Sequence, residues 1–141
     1  MTQDKELLLK DICARLPYGV KVAFFNEDLT YHSEPKTLTG IECINNLNYS
    51  SLEDEDGNTT IVEFVKPYLF PLSSMTDEQK KKYNWLKHSV FVCHYEYGDV
   101  VEEIELYDSP ESFEYLIENH FDYRDLIERE LAIDATGLNI Y

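Results

Sequence analysis

The stretch Val65–Gln79 constrains this chain more than any other, because it joins an extended apolar strap to a helix start. Pro67 and Pro71 each lack an N–H, which keeps them out of the middle of a sheet. Lys66 and Phe70 precede prolines and are pushed to extended geometry. Tyr68, Leu69, Phe70 and Leu72 each gain about 1.5–3 kcal/mol on burial. The strap is therefore expected as an edge strand or an extended crossing laid over the core. Thr76-Asp77-Glu78-Gln79 then matches a capping box and predicts a helix over 77–88. Asp77 and Glu78 suit its N-terminus, and Lys87 and His88 its last turn.

On either side of the strap the pattern changes character. Leu8, Leu9, Ile12, Cys13 and Leu16 recur at helical spacing and predict a helix over 4–15, stopped by Pro17-Tyr18-Gly19. Val20–Phe25 and Thr37–Ile44 read as strands, with Gly40 marking a bulge, and Leu29–His32 as a short return strand. Residues 45–58 read as an acidic loop, and Thr59–Val65 as a third strand feeding the strap. Beyond the central helix, Ser89–Tyr97 and Val100–Tyr107 read as two strands turning at Gly98-Asp99. Ser109-Pro110 opens a helix to about Asn119, and Asp122 caps a last short helix carrying Tyr123, Leu126, Ile127 and Leu131. Residues 134–141 read as a flexible tail. The expectation is one α+β domain over 1–141. It has a small antiparallel sheet, a meander or a curled barrel, with an N-terminal helix, a central capped helix and one or two C-terminal helices.

Charge narrows the function classes. The 141 residues carry 28 acids against 12 bases, a net charge of −16. A direct nucleic-acid binder is normally basic, because phosphate neutralisation dominates its affinity, and anionic membranes are disfavoured for the same reason. From His88 to Tyr123 there is no Lys or Arg. Lys80-Lys81-Lys82 is the only basic cluster and reads as a solvated helix face. Cys13, Cys43 and Cys93 form no Cys-x-x-Cys pair and are odd in number, which fits reduced thiols in the cytoplasm. No signal peptide and no 18-residue apolar run is legible.

Chemistry is hard to find. There is no G-x-S-x-G, no P-loop and no G-x-G-x-x-G. Cys93 and His94 are adjacent on a strand and face opposite sides, so they do not converge on a metal. Asp54, Asp56 and Asn58 alternate as in a calcium loop, but the downstream Glu spacing of an EF-hand is missing. His120 reads as a structural histidine, and Cys13 and Cys43 as core. No catalytic, cofactor or metal residues are assigned, and no cofactor is expected.

Three stretches carry a resemblance: Ala14-Arg15-Leu16-Pro17-Tyr18-Gly19-Val20, the strap Lys66–Thr76, and His120-Phe121-Asp122-Tyr123-Arg124-Asp125-Leu126-Ile127. Together they resemble a family of small uncharacterised proteins of gut Bacteroides-type bacteria and their phages, over the whole chain. The resemblance implies a phage or mobile-element setting and carries no activity. That pattern tends to have Gly where this chain has Asp125 and Glu130. The departures imply a longer last helix here, since each Gly costs about 1 kcal/mol in a helix interior.

The leading functional expectation is a non-catalytic protein–protein interaction module with a protein partner. Its candidate residues are Pro67, Tyr68 and Phe70 of the strap and the acids Glu102, Glu103 and Glu105. An edge strand at the strap would allow a homodimer. One alternative is an acidic decoy that imitates nucleic acid. A double helix carries about one charge per 100 Å². Sixteen net charges over a folded surface of about 7,600 Å² are several times sparser, so a decoy needs its acids gathered on one face. A further alternative is an enzyme in which His94, Glu96 and Glu103 meet across the 89–107 hairpin.

Overall fold

The N-terminal periodicity becomes α1, Gln3–Arg15, ended by a 3-10 turn at Leu16–Tyr18 and by Gly19 in the left-handed region at φ 70°. The computed structural model describes residues 3–44 and 49–141. β1 (Lys21–Phe24) follows. Leu29–His32 forms only a single bridge, Phe25 to His32, because the Asn26 and Asp28 side chains take the N–H groups of Tyr31 and Thr30 and fold the segment into a turn. β2 (Lys36–Ile44) shifts register between Leu38 and Gly40, the irregularity expected at Gly40. β3 (Tyr49–Asp54) lies inside the segment expected as loop, while 45–48 fall outside the described residues. The expected strand Thr59–Val65 reduces to β4 (Thr59–Thr60) and a 3-10 turn at Val62–Phe64. Then come β5 (Val65–Pro71), α2 (Asp77–Leu86), β6 (His88–Glu96) and β7 (Asp99–Tyr107). α3 (Pro110–Glu118), β8 (Phe121–Asp122) and β9 (Ile133–Asp134) complete the chain.

These elements divide into two units, Met1–Ser74 with Ile117–Tyr141, and Met75–Leu116. In the first, the sheet runs β4-β3-β2-β1-β5-β8, with β9 also on β5. β1 to β4 are an antiparallel meander and β5 returns antiparallel to β1, whereas β8 and β9 pair with β5 in parallel. The α+β class is as expected. The sheet is mixed rather than purely antiparallel, and it stays open. Its core joins Leu9 and Ile12 of α1 to Val22, Leu52, Leu69 and Leu126.

The strap is extended but not an edge. β5 has partners on both sides: Val22 faces Pro67 in β1, and Tyr68 and Phe70 face Ile133 and Phe121. The prolines fit because their missing N–H groups fall where ladders end. Pro67 precedes Tyr68, the first partner of β9, and Pro71 is the last strand residue. Tyr68 and Leu69 are buried, while Leu72 turns out into solvent. The edge-strand ground for a homodimer is thereby removed.

α1 also rotates from its expected face. Leu8, Leu9 and Ile12 are buried, but Asp11 and Arg15 go in with them and Cys13 is exposed. The last helix does not form. Asp122 spends its carboxylate on three backbone donors, the N–H groups of Arg124, Leu126 and Ile127. Asp125 and Glu130 are left-handed at φ 56° and 60°, so the departures from Gly do not extend a helix. Nor do residues 134–141 hang free: Ala135 is buried and its N–H bonds the Leu69 carbonyl at 2.8 Å. Among the described residues no helix is long and apolar enough to cross a membrane.

Candidate protein-interaction surface

The second unit opens with the expected capping box. The Thr76 hydroxyl accepts from Gln79 N–H at 3.2 Å and the Gln79 side chain accepts from Thr76 N–H at 2.9 Å. α2 stops at Leu86, so Lys87 is its C-cap and His88 already begins β6. The Ser109 hydroxyl donates to the Leu86 carbonyl at 2.6 Å and accepts from Ser112 N–H at 3.0 Å, tying the end of α2 to the start of α3. Tyr83 donates to Asp108 at 2.5 Å. Burial, then the Asp108 carboxylate, holds that phenol well above its usual range.

Between these helices β6 and β7 form a two-stranded antiparallel ribbon in continuous register from His88–Tyr107 to Glu96–Asp99. The turn is Tyr97-Gly98, both at positive φ, 52° and 86°. That backbone twist suits a two-residue hairpin loop. It places the turn one residue before the expected Gly98-Asp99.

Register decides what each face presents, since directly opposed residues share a face. One face carries Phe91 opposite Ile104, Tyr95 opposite Val100, Ser89 opposite Leu106 and Cys93 opposite Glu102. Its large apolar side chains stand in solvent: Phe91 is 63% exposed, Ile104 70%, Tyr95 81% and Val100 58%. The other face carries half-buried Val90, Val92 and Val101 together with Glu103, Glu105 and His94. Single exposed apolar residues are ordinary, but a contiguous row on one face is not.

The residues singled out in the sequence separate accordingly. Pro67 and Tyr68 are buried in the sheet and Phe70 is half-buried, so of these three only Phe70 keeps accessible surface. Glu102 stands on the apolar face, whereas Glu103 and Glu105 point to the other side, where Glu105 accepts from the Tyr107 hydroxyl. That hydrogen bond and the Glu105 charge raise the Tyr107 phenol. His94, Glu96 and Glu103 do share a face, with His94 Nε2 3.7 Å from Glu96 Oε2, but all three are exposed on an open ribbon. Asp54 is consumed by its own loop, accepting from Asp56 and Asn58 N–H groups, and Asp56 pairs with Lys36 at 2.8 Å. The described residues contain no cluster of His, Cys, Asp and Glu able to hold a metal ion.

The first unit holds three further polar features. A cleft of about 530 Å³ lies over Leu8, Val62, Val65 and Leu131. Its rim charges neutralise one another, Arg129 with Asp4 at 3.2 Å and Lys5 with Glu63. Deeper, Asp11 receives Arg15 at 2.8 Å and Arg124 at 3.3 Å, and Arg15 also donates to the Phe121 carbonyl. His120 stacks on Tyr141 with ring centroids 3.6 Å apart. The Tyr141 hydroxyl accepts from Lys21 N–H at 2.9 Å and donates to the Tyr68 carbonyl at 2.8 Å. These groups hold the fold together.

The apolar row was readable in principle. Val90, Val92 and His94 alternate with Phe91, Cys93 and Tyr95, but alternation does not say which row is left uncovered. No family model matches the chain, and no curated protein and no solved structure matches it.

Proposed function

We propose that this protein is a non-catalytic interaction module that docks another protein on the exposed apolar face of the β6–β7 ribbon. One observation carries the reading: Phe91, Tyr95, Val100 and Ile104 lie side by side on one face and all remain more than half exposed. A two-stranded ribbon is marginal by itself in water, and a partner covering this row would stabilise it by about 25 cal/mol per Å² of apolar surface removed from water. The acids lend the decoy reading little support, because Glu102 faces one way and Glu103 and Glu105 the other. The resemblance adds a phage or mobile-element setting in a gut anaerobe, and the cysteines, odd in number and with no Cys-x-x-Cys pair, favour a cytoplasmic location.

The test is a comparison of captured proteins. The full chain and a Phe91→Ser/Ile104→Ser variant are used as bait in a lysate of a Bacteroides-type host, with circular dichroism confirming equal folding. A protein retained by the first and lost with the second supports the reading. Identical retention by both baits would refute it.

A further inference from the structure

The apolar row also says what kind of protein segment fits it. Resting on the interaction reading above, we infer that its occupant is a single amphipathic α-helix whose apolar stripe is flanked by Lys or Arg.

Size comes first. Nine-residue strands give a ribbon about 30 Å long, and two of them side by side present a strip about 10 Å wide. An α-helix of about 20 residues is also about 30 Å long and 10–12 Å across. The strip matches one helix laid along it. A second copy of this chain is a poor occupant, because two chains of net charge −16 repel each other.

Charge comes second, and Glu102 decides it. This carboxylate stands on the apolar face itself, opposite Cys93, between the Phe91–Ile104 and Tyr95–Val100 pairs. Covering the row with an uncharged helix strips water from Glu102 and gives nothing in return, which is costly for an ionised group. A Lys or Arg at the margin of the stripe supplies the counter-charge, and Arg can do so with two parallel hydrogen bonds. The surroundings favour the same sign. Residues 88–107 contain five acids and no Lys or Arg, and the four lysines of this unit all lie within 80–87. An approaching cationic helix therefore meets attraction along the whole ribbon.

The experiment uses the full-length protein and two synthetic helical peptides of about 20 residues. They share one Leu/Ile stripe and differ only in flanking residues, Lys and Arg in one and Gln in the other. Binding is read by fluorescence anisotropy at 150 mM salt. The expected result is binding of the cationic peptide about tenfold tighter than the Gln peptide. Glu102→Gln should remove most of that difference, and Phe91→Ser/Ile104→Ser should abolish binding of both. Equal binding of the two peptides, unchanged by Glu102→Gln, overturns the cationic-helix inference and leaves apolar docking standing. Binding of neither peptide, or binding that survives Phe91→Ser/Ile104→Ser, overturns the docking face as well. A dimer in analytical ultracentrifugation that dissociates on Phe91→Ser/Ile104→Ser overturns the inference in favour of a second copy.

Discussion

Asp11 and Arg15, one helical turn apart on α1, form an ion pair 2.8 Å long in which neither side chain touches solvent. Removing one partner of a buried pair strands the other charge, at a cost of about 3–5 kcal/mol. Arg15→Met should therefore destabilise the first unit by about that much, tempered by Arg124, whose Nε remains 3.3 Å from Asp11. The double variant Asp11→Leu/Arg15→Met should recover most of the loss. Urea unfolding of the two variants and the parent chain measures both effects.

His120 makes stability depend on pH. Burial, and then the nearby Arg15 charge, lowers its pKa from 6.5 to about 4. The unfolded chain thus binds a proton that the folded chain refuses between those values. Stability is complete above about 6.5 and is lost as pH falls toward 4, by about 2 kcal/mol between pH 6.5 and 5. The slope of stability against pH over that interval should flatten in His120→Asn, which tolerates the left-handed backbone at φ 63° better than most residues. Chemical denaturation at pH 7, 6 and 5 compares the two.

Glu130 and Asp125 occupy backbone conformations that suit glycine, φ 60° and 56°. The left-handed region costs a residue with a Cβ about 1–2 kcal/mol, partly offset by the larger unfolded entropy of Gly. Glu130→Gly should raise stability by about 0.5–1 kcal/mol. Asp125→Gly should gain less, since Asp tolerates that region. A lowered thermal midpoint in Glu130→Gly would show the backbone there to be helical after all.

Tyr141 stands in for a missing rung of the sheet. By the β1–β5 register Lys21 lies opposite Tyr68, and the Tyr141 hydroxyl bridges their backbone groups. Although the residue as a whole is 42% exposed, its hydroxyl is inserted between strands, and burial pushes the phenol up to about 12. Tyr141→Phe leaves a donor and an acceptor without a partner and should cost about 1–3 kcal/mol. Amide exchange at Lys21 should quicken in the same variant.

Several elements were legible because local chemistry decides them. Thr76 and Gln79 specify a helix start wherever they occur, and the β6–β7 ribbon follows from alternation strong enough to survive four glutamates. Elsewhere tertiary context won. β3 was hidden because Leu52 is the one large aliphatic residue in Tyr49–Asp54. Residues 122–131 have helical spacing, yet Asp122 diverts three N–H groups and two residues turn left-handed, which periodicity cannot show. Prolines argued correctly for extended geometry and wrongly for an edge, because what matters is which ladder bond each one forgoes. The apolar row lies within two strands that were legible, but alternation alone does not say which face stays exposed.

The central strand β5 takes neighbours from both the beginning and the end of the polypeptide, with Met75–Leu116 inserted between β5 and β8. Its ladder on the β9 side cannot close on the ribosome until residue 134 has been made, however early β1 and β2 emerge. The inserted unit has all its residues in one unbroken stretch and is free to collapse sooner. Synthesis therefore completes the residues of the inserted unit before it supplies the strand that closes the β5 ladder of the other.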